Sequence, residues 1–175
     1  MNYIHPSIDK LLLPYKSLLA SDFCKYRNHV CRVYLHCLLL DKNEANAEKY
    51  AIAAVFHDIG LWTAKTFDYL APSMDEAVDY LDVHDKTEWV EEISQMICWH
   101  HKVTHYSGPF FTTIETFRKA DWIDVTVGLM AFGVDRRTIR QYRKPFPLLG
   151  FHFFLLKRAA QYFRTHPLHP LPMFK

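Results

Sequence analysis

A chain of 175 residues, half of them apolar, is enough for one domain that buries about 70% of the surface its unfolded form exposes, and it needs no disulfide to do so. Lysine and arginine number 21 against 19 aspartates and glutamates, and this formal net charge of +2 speaks against a general polyanion binder such as a nucleic-acid protein. The four cysteines (Cys24, Cys31, Cys37 and Cys98) form no CxxC pair, so free thiols in a reducing, cytoplasmic setting are expected. The first apolar run lacks a basic lead and is broken by Pro14, and no run approaches the ~20 residues of a membrane helix, so neither a signal peptide nor a membrane partner is expected.

With five glycines and apolar residues recurring every three or four positions, the chain reads as all-α, a single compact bundle of seven or eight helices over residues 1–175. A first helix is predicted over Ile8 to Leu19, and Ser21 or Asp22 offers an N-cap for the next. That second helix runs to about Leu40 with a stripe of Phe23, Tyr26, Val30, Val33, Cys37 and Leu40; His29 sits beside the stripe and His36 one heptad later. After a turn at Asp41 to Asn43, an alanine-rich helix covers Glu44 to Asp58, with Gly60 as a left-handed cap. Leu61 to Pro72 has no period and reads as a loop or lid whose aromatics, Trp62, Phe67 and Tyr69, could line a pocket. Ser73 and Glu76 form a capping box for a helix fading near His84, and Thr87 precedes another through His101. The sixth helix begins near Thr112 and carries FRKADWIDVTVG, with Asp121 and Asp124 on one face. A basic helix (Arg136, Arg137, Arg140, Arg143 and Lys144) follows and is read as a solvated face, with a phosphate-binding rim as the alternative. The last helix spans Leu148 to Arg164, before a tail too rich in proline to continue it.

The stretch AIAAVFHDIG, Ala51 to Gly60, organises the chemistry. An apolar helix runs into an adjacent His57-Asp58 pair, which supplies one imidazole nitrogen and one hard oxygen, a donor set for a divalent first-row metal or magnesium rather than for a thiolate site. His29 lies upstream, His100-His101 downstream and Asp121 further on. The order His, His-Asp, His-His, Asp resembles the HD-domain superfamily of metal-dependent phosphohydrolases, over roughly Asp22 to Val127; residues 128–175 fall outside the resemblance. RNHVCRV is similar to the first-histidine segment of that family, and ADWID to its terminal Ala-Asp segment.

The resemblance implies a metal site of His29, His57, Asp58 and Asp121, with Asp124 the competing ligand one turn on. Two imidazoles and two carboxylates leave two or three positions of an octahedral ion for water and a substrate oxygen. The implied activity is hydrolysis of a small phosphorylated molecule or nucleotide by metal-activated water, with manganese, magnesium, nickel, cobalt, iron or zinc as the ion. Catalytic roles fall to His57, Asp58, His100 and His101, the last two holding phosphate or protonating the leaving oxygen. Adjacent helical residues diverge by about 100°, so only one of His100 and His101 is expected to face the metal directly. A second metal would draw on His84, His100 and His101, with a di-iron oxygenase as the alternative activity and a catalytically silent nucleotide-binding domain as a third reading. For His84 an exposed position is favoured, because its neighbours are charged, and for His36 a core position. Lys65, Lys102, Arg118 and Lys119 are the candidates for the substrate phosphate.

Two departures bear on substrate. Leu61 and Trp62 follow Gly60 where many HD phosphohydrolases place a lysine or histidine, so a phosphate contact usual at that point is absent or moved to Lys65. KVTHYSGPF lacks the Gly-Tyr-Pro signature of the cyclic-di-GMP-degrading branch, so that activity is not assigned. His5, His105, His152, His166 and His169 carry no such argument.

Overall fold

The computed structural model describes residues 5–165, and all of the regular structure among them is helical. Ten α-helical segments follow one another: α1 (Pro6–Leu12), α2 (Lys16–Leu19), α3 (Phe23–Leu40), α4 (Ala47–Phe56), α5 (Gly60–Thr63), α6 (Leu70–Val83), α7 (Val90–Trp99), α8 (Phe111–Val125), α9 (Arg136–Tyr142) and α10 (Phe151–Thr165). Two of these, α2 and α5, are single turns, which leaves eight longer helices. The tail with His166 and His169 lies outside the described residues.

The core is layered around α3 and α4. Helix α3 packs along α8 on one side and α4 on another, while α7 lies against both α8 and α6. Every residue of α4 from Tyr50 to Phe56 is buried, because a helix apolar all round has no face to give to water. It is therefore fixed on every side, and whatever follows Phe56 starts from a held position.

Several expected boundaries move, each for a local reason. Pro14 has no N–H to give, so the first helix stops at Leu12, a tighter turn covers Leu13–Tyr15, and α2 restarts at Lys16. Asp22 does not cap α3 with its side chain: its carboxylate accepts instead from Lys25 Nζ at 2.8 Å and from the indole N–H of the buried Trp62 at 3.1 Å. Helix α6 begins at Leu70 and tolerates Pro72 in its first turn, so Ser73 is a buried interior residue rather than a cap. The Ser73 hydroxyl accepts a hydrogen bond from Gly60 N at 2.9 Å. Gly60 is not a left-handed cap either. It opens α5, and a Cβ there would lie 2.4 Å from the Tyr69 carbonyl and 2.9 Å from Ser73 Oγ. Close approach of two helices, not a backbone angle, requires the glycine. The expected lid is consequently a wall: Leu61, Trp62, Phe67 and Tyr69 are all buried, and only residues 64–69 connect α5 to α6.

His36 sits in the core as expected, 1% exposed, with its ring 6.0 Å from that of Tyr142. Burial lowers its pKa to about 4 against an ordinary 6.5. The unfolded chain therefore binds a proton between pH 6.5 and pH 4 that the folded chain refuses, and stability falls as pH falls through that window. Denaturant unfolding at pH 7 and pH 4.5 is expected to show a loss about 2 kcal/mol larger for the wild type than for His36→Leu. Equal losses in the two proteins would mean that the imidazole stays charged in the fold.

Candidate metal centre

Two helix ends and two helix middles build the site. Helix α4 delivers His57 and Asp58 just past its last residue, and α7 delivers His100 and His101 in the same way. His29 comes from the middle of α3, and Asp121 and Asp124 from α8. His29, His57, Asp58, His100, Asp121 and Asp124 are each 2% exposed or less.

The sequence sets three of the imidazoles in one orientation. His57 Nδ1 donates to the Ala54 carbonyl at 2.8 Å, and His100 Nδ1 to the Ile97 carbonyl at 2.6 Å. His29 Nδ1 donates to Asp124 Oδ2 at 2.7 Å. With the proton fixed on Nδ1, each neutral ring turns a bare Nε2 lone pair to the middle of the cluster. His29 Nε2 and His57 Nε2 lie 2.9 Å apart. Two lone pairs at that distance repel unless a proton or a cation lies with them.

The carboxylates close the same space. Asp58 Oδ2 is 3.6 Å from His29 Nε2 and 3.4 Å from His57 Nε2, while Asp121 Oδ1 is 3.6 and 3.8 Å from the same two nitrogens. Asp58 Oδ1, His100 Nε2 and both oxygens of Asp121 are buried with no hydrogen-bond partner. Orphaned acceptors at this density are costly in a dry interior, and a divalent cation is what would satisfy them together. The donor set fits such an ion: His29, His57 and Asp58 place one ligand atom each within 4.8 Å of one another, and so do Asp58, His100 and His101.

Protonation follows the same crowding. Burial and the carboxylates of Asp58 and Asp124 push Asp121 up to about 7, with His100 and His29 opposing. Asp58 is buried as deeply, but the imidazoles of His57, His100 and His29 hold it well below the usual carboxylate range. Burial lowers His57 to about 3 and drives His101 down as well. For His100 burial acts the same way, yet Asp58 and Asp121 overcome it and raise the pKa.

Asp124, weighed as a rival ligand, is placed outside the space between the carboxylates and behind His29. Its two oxygens accept from His29 and from Arg32, at 2.6 and 2.8 Å for the guanidinium. Both members of the His100-His101 pair reach the cluster, contrary to the expectation for adjacent helical residues, because α7 ends at Trp99. His100 Nε2 faces Asp58 Oδ1 at 3.4 Å and His101 Nδ1 faces Asp121 Oδ2 at 3.7 Å. His101, with 14% of its side chain exposed, is the member nearest to solvent.

Other expected residues lie elsewhere. His84 is exposed at the end of α6, its Nδ1 donating to the Tyr80 carbonyl at 2.8 Å and its ring on Tyr80, so it does not join a second group of ligands. Arg118 is withdrawn from any phosphate: it is buried, forks onto Glu115 at 2.7 and 2.8 Å, and donates to the Lys102 carbonyl. Glu115, itself buried, needs that guanidinium. Lys119 Nζ stands 3.7 Å from the same carboxylate, and Lys102 is half-buried directly after His101. Lys65 is exposed beside a cavity of about 300 Å³ that it lines with Arg158 and Tyr162. The aromatic segment before α6 does reach the site, where the Tyr69 hydroxyl lies 2.5 Å from His101 Nε2. The sequence reading missed Arg32, one turn after His29. Its place on the helix face that carries Asn28, His29 and His36 was the available signal.

No curated protein and no solved structure matches the chain. The HD domain matches residues 26–126, which begin just before His29 and end just after Asp124. With more than half of its length covered by that match, this chain belongs to the HD domain family.

Proposed function

We propose that the protein is a metal-dependent phosphohydrolase acting on a small phosphorylated compound, a nucleotide or a phosphomonoester. The 2.9 Å approach of two bare imidazole nitrogens among orphaned carboxylate oxygens carries this reading. His29, His57, Asp58 and Asp121 would hold the cation. When bound, a divalent ion supplies Lewis acidity, making water acidic enough to attack near neutral pH and offsetting charge on a phosphoryl oxygen.

The chain's own groups do the rest. Asp124 and Arg32 hold His29 from behind, and the helix-end carbonyls of Ala54 and Ile97 hold His57 and His100. Substrate would approach past His101, the member nearest to solvent, whose Nε2 accepts a hydrogen bond from the Tyr69 hydroxyl; burial and the Asp58 charge keep that hydroxyl protonated. Lys102, which directly follows His101, and Lys119 would be the cations available to a phosphate. His100, whose pKa Asp58 and Asp121 raise against the effect of burial, would give a proton to the leaving oxygen, and His101 would hold the phosphate.

A second group of ligands, Asp58 with His100 and His101, shares Asp58 with the first and supports a two-ion variant. Di-iron oxygen chemistry is therefore the second reading. The test is reconstitution with manganese, magnesium, nickel, cobalt, iron and zinc, followed by a screen of phosphomonoesters, nucleotides and phosphodiesters with metal counting. Turnover with at least one ion, abolished by a chelator, is expected. Two irons per chain with oxygen consumption and no phosphate release would replace hydrolysis by oxygenation, and nucleotide binding without turnover under every metal would leave a silent binding domain.

A further inference from the structure

The net charge of +2 hides a steep division along the chain. From Arg136 to Lys175 there are nine lysines and arginines and not one aspartate or glutamate, whereas the preceding 135 residues hold 12 basic against 19 acidic side chains. Nothing in the metal centre uses this excess.

Helix α10 lies within the basic segment and shows two faces. Inward, Phe151 stacks on His29 with centroids 4.2 Å apart and Phe154 stacks on Trp62 at 5.3 Å. Outward, Phe153, Leu156 and Phe163 are 72%, 67% and 51% exposed, and Leu149 just before the helix is 52% exposed. With the exposed Ala160, these positions repeat at alternating spacings of four and three and make one apolar stripe. Lys157 and Arg164, both exposed, directly follow Leu156 and Phe163 and so border the stripe along one edge.

We propose that this face of α10 docks on an anionic phospholipid surface, lying in the headgroup layer with Phe153, Leu156 and Phe163 toward the acyl chains. Aromatic and leucine side chains on one face with cations beside them fit that boundary, where apolar burial and headgroup attraction add. A second copy fits worse, since paired stripes would bring Lys157 and Arg164 against their own like with no acid in the segment to answer them. Duplex nucleic acid would meet the cations and leave the phenylalanines in water, and a single strand stacked on them would leave Leu149 and Leu156 uncovered. No helix among the described residues is long and apolar enough to cross a membrane, so the contact is interfacial. The expectation of no membrane partner rested on crossing alone and does not bear on this mode.

Sedimentation of the full chain with vesicles tests it. Binding to phosphatidylcholine vesicles containing phosphatidylglycerol is expected to exceed binding to pure phosphatidylcholine by about tenfold or more, and to weaken as salt rises. Lys157→Gln with Arg164→Gln removes two cations worth roughly fivefold each and narrows that preference. Phe153→Ser with Leu156→Ser, two exposed positions that leave the melting temperature unchanged, abolishes binding to both vesicles. Failure to bind anionic vesicles, or full binding by the serine variant, overturns the proposal. So does a dimer by light scattering that the serine variant makes monomeric, or oligonucleotide binding that this variant keeps.

Discussion

Asp58→Ala is expected to lower metal-dependent hydrolysis by more than about a hundredfold, beyond the usual cost of losing a residue that merely supports a ligand. Asp58 is the one residue common to both groups of ligands, so its loss opens the centre whether one ion or two is held. The fold has no such dependence. Helix α4 is gripped by Ile52, Val55 and Phe56, and the aspartate stands beyond its end. The metal-free variant is therefore expected to melt within about 4 °C of the wild type, the equivalent of about 1 kcal/mol in a chain of this size. Metal content, melting temperature and turnover are measured together on one preparation. A variant that keeps its metal and its full rate would falsify the proposed centre, and an unfolded one would mean that the carboxylate is structural.

Arg32→Ala is expected to have the opposite profile, costing about 3 to 5 kcal/mol of stability, because it leaves a buried carboxylate without its cation. Arg32 is fully buried; besides both oxygens of Asp124 its guanidinium reaches the carbonyls of Phe146 and Pro147, at 2.9 and 3.3 Å. One side chain therefore ties α3 to α8 and to the segment leading into α10. Although burial opposes the charge, His29 and Arg32 hold Asp124 well below the ordinary carboxylate range, which shows how far the pair depends on ionisation. The double variant Arg32→Met with Asp124→Asn is expected to recover part of the loss, since it removes both charges rather than stranding one. Urea unfolding of the three proteins settles the matter, and an Arg32→Ala protein as stable as the wild type would mean that water reaches Asp124.

The helical architecture was legible because it follows from spacing: α3 begins and ends where its apolar stripe does, and α8 starts within two residues of the expected place. The His-Asp pair was legible because two polar side chains end a helix that is otherwise apolar. Ser73 and Gly60 misled for a shared reason. Each has a common local role, a cap, and each is used instead for a contact with the other across 13 residues of chain. Arg118 looked available to phosphate because Glu115, three residues earlier, gave no sign of being buried. Tyr69 was legible as one aromatic of the segment before α6, but its place beside His101 comes from how α6 leans on α5, which no spacing encodes.

The three inward imidazoles differ in how far away their orientation is decided. For His57 and His100 the acceptor lies three residues back, at Ala54 and Ile97, so each ring is aimed by its own turn of helix and carries its setting with it. For His29 the acceptor is 95 residues away. Two thirds of the aiming is thus written into short stretches that slide, tilt or lengthen without losing it, and the remaining third is a single adjustable joint between α3 and α8. Sequence drift anywhere in the bundle is felt at the centre mainly through that joint, and Arg32 is the bolt that keeps it from turning.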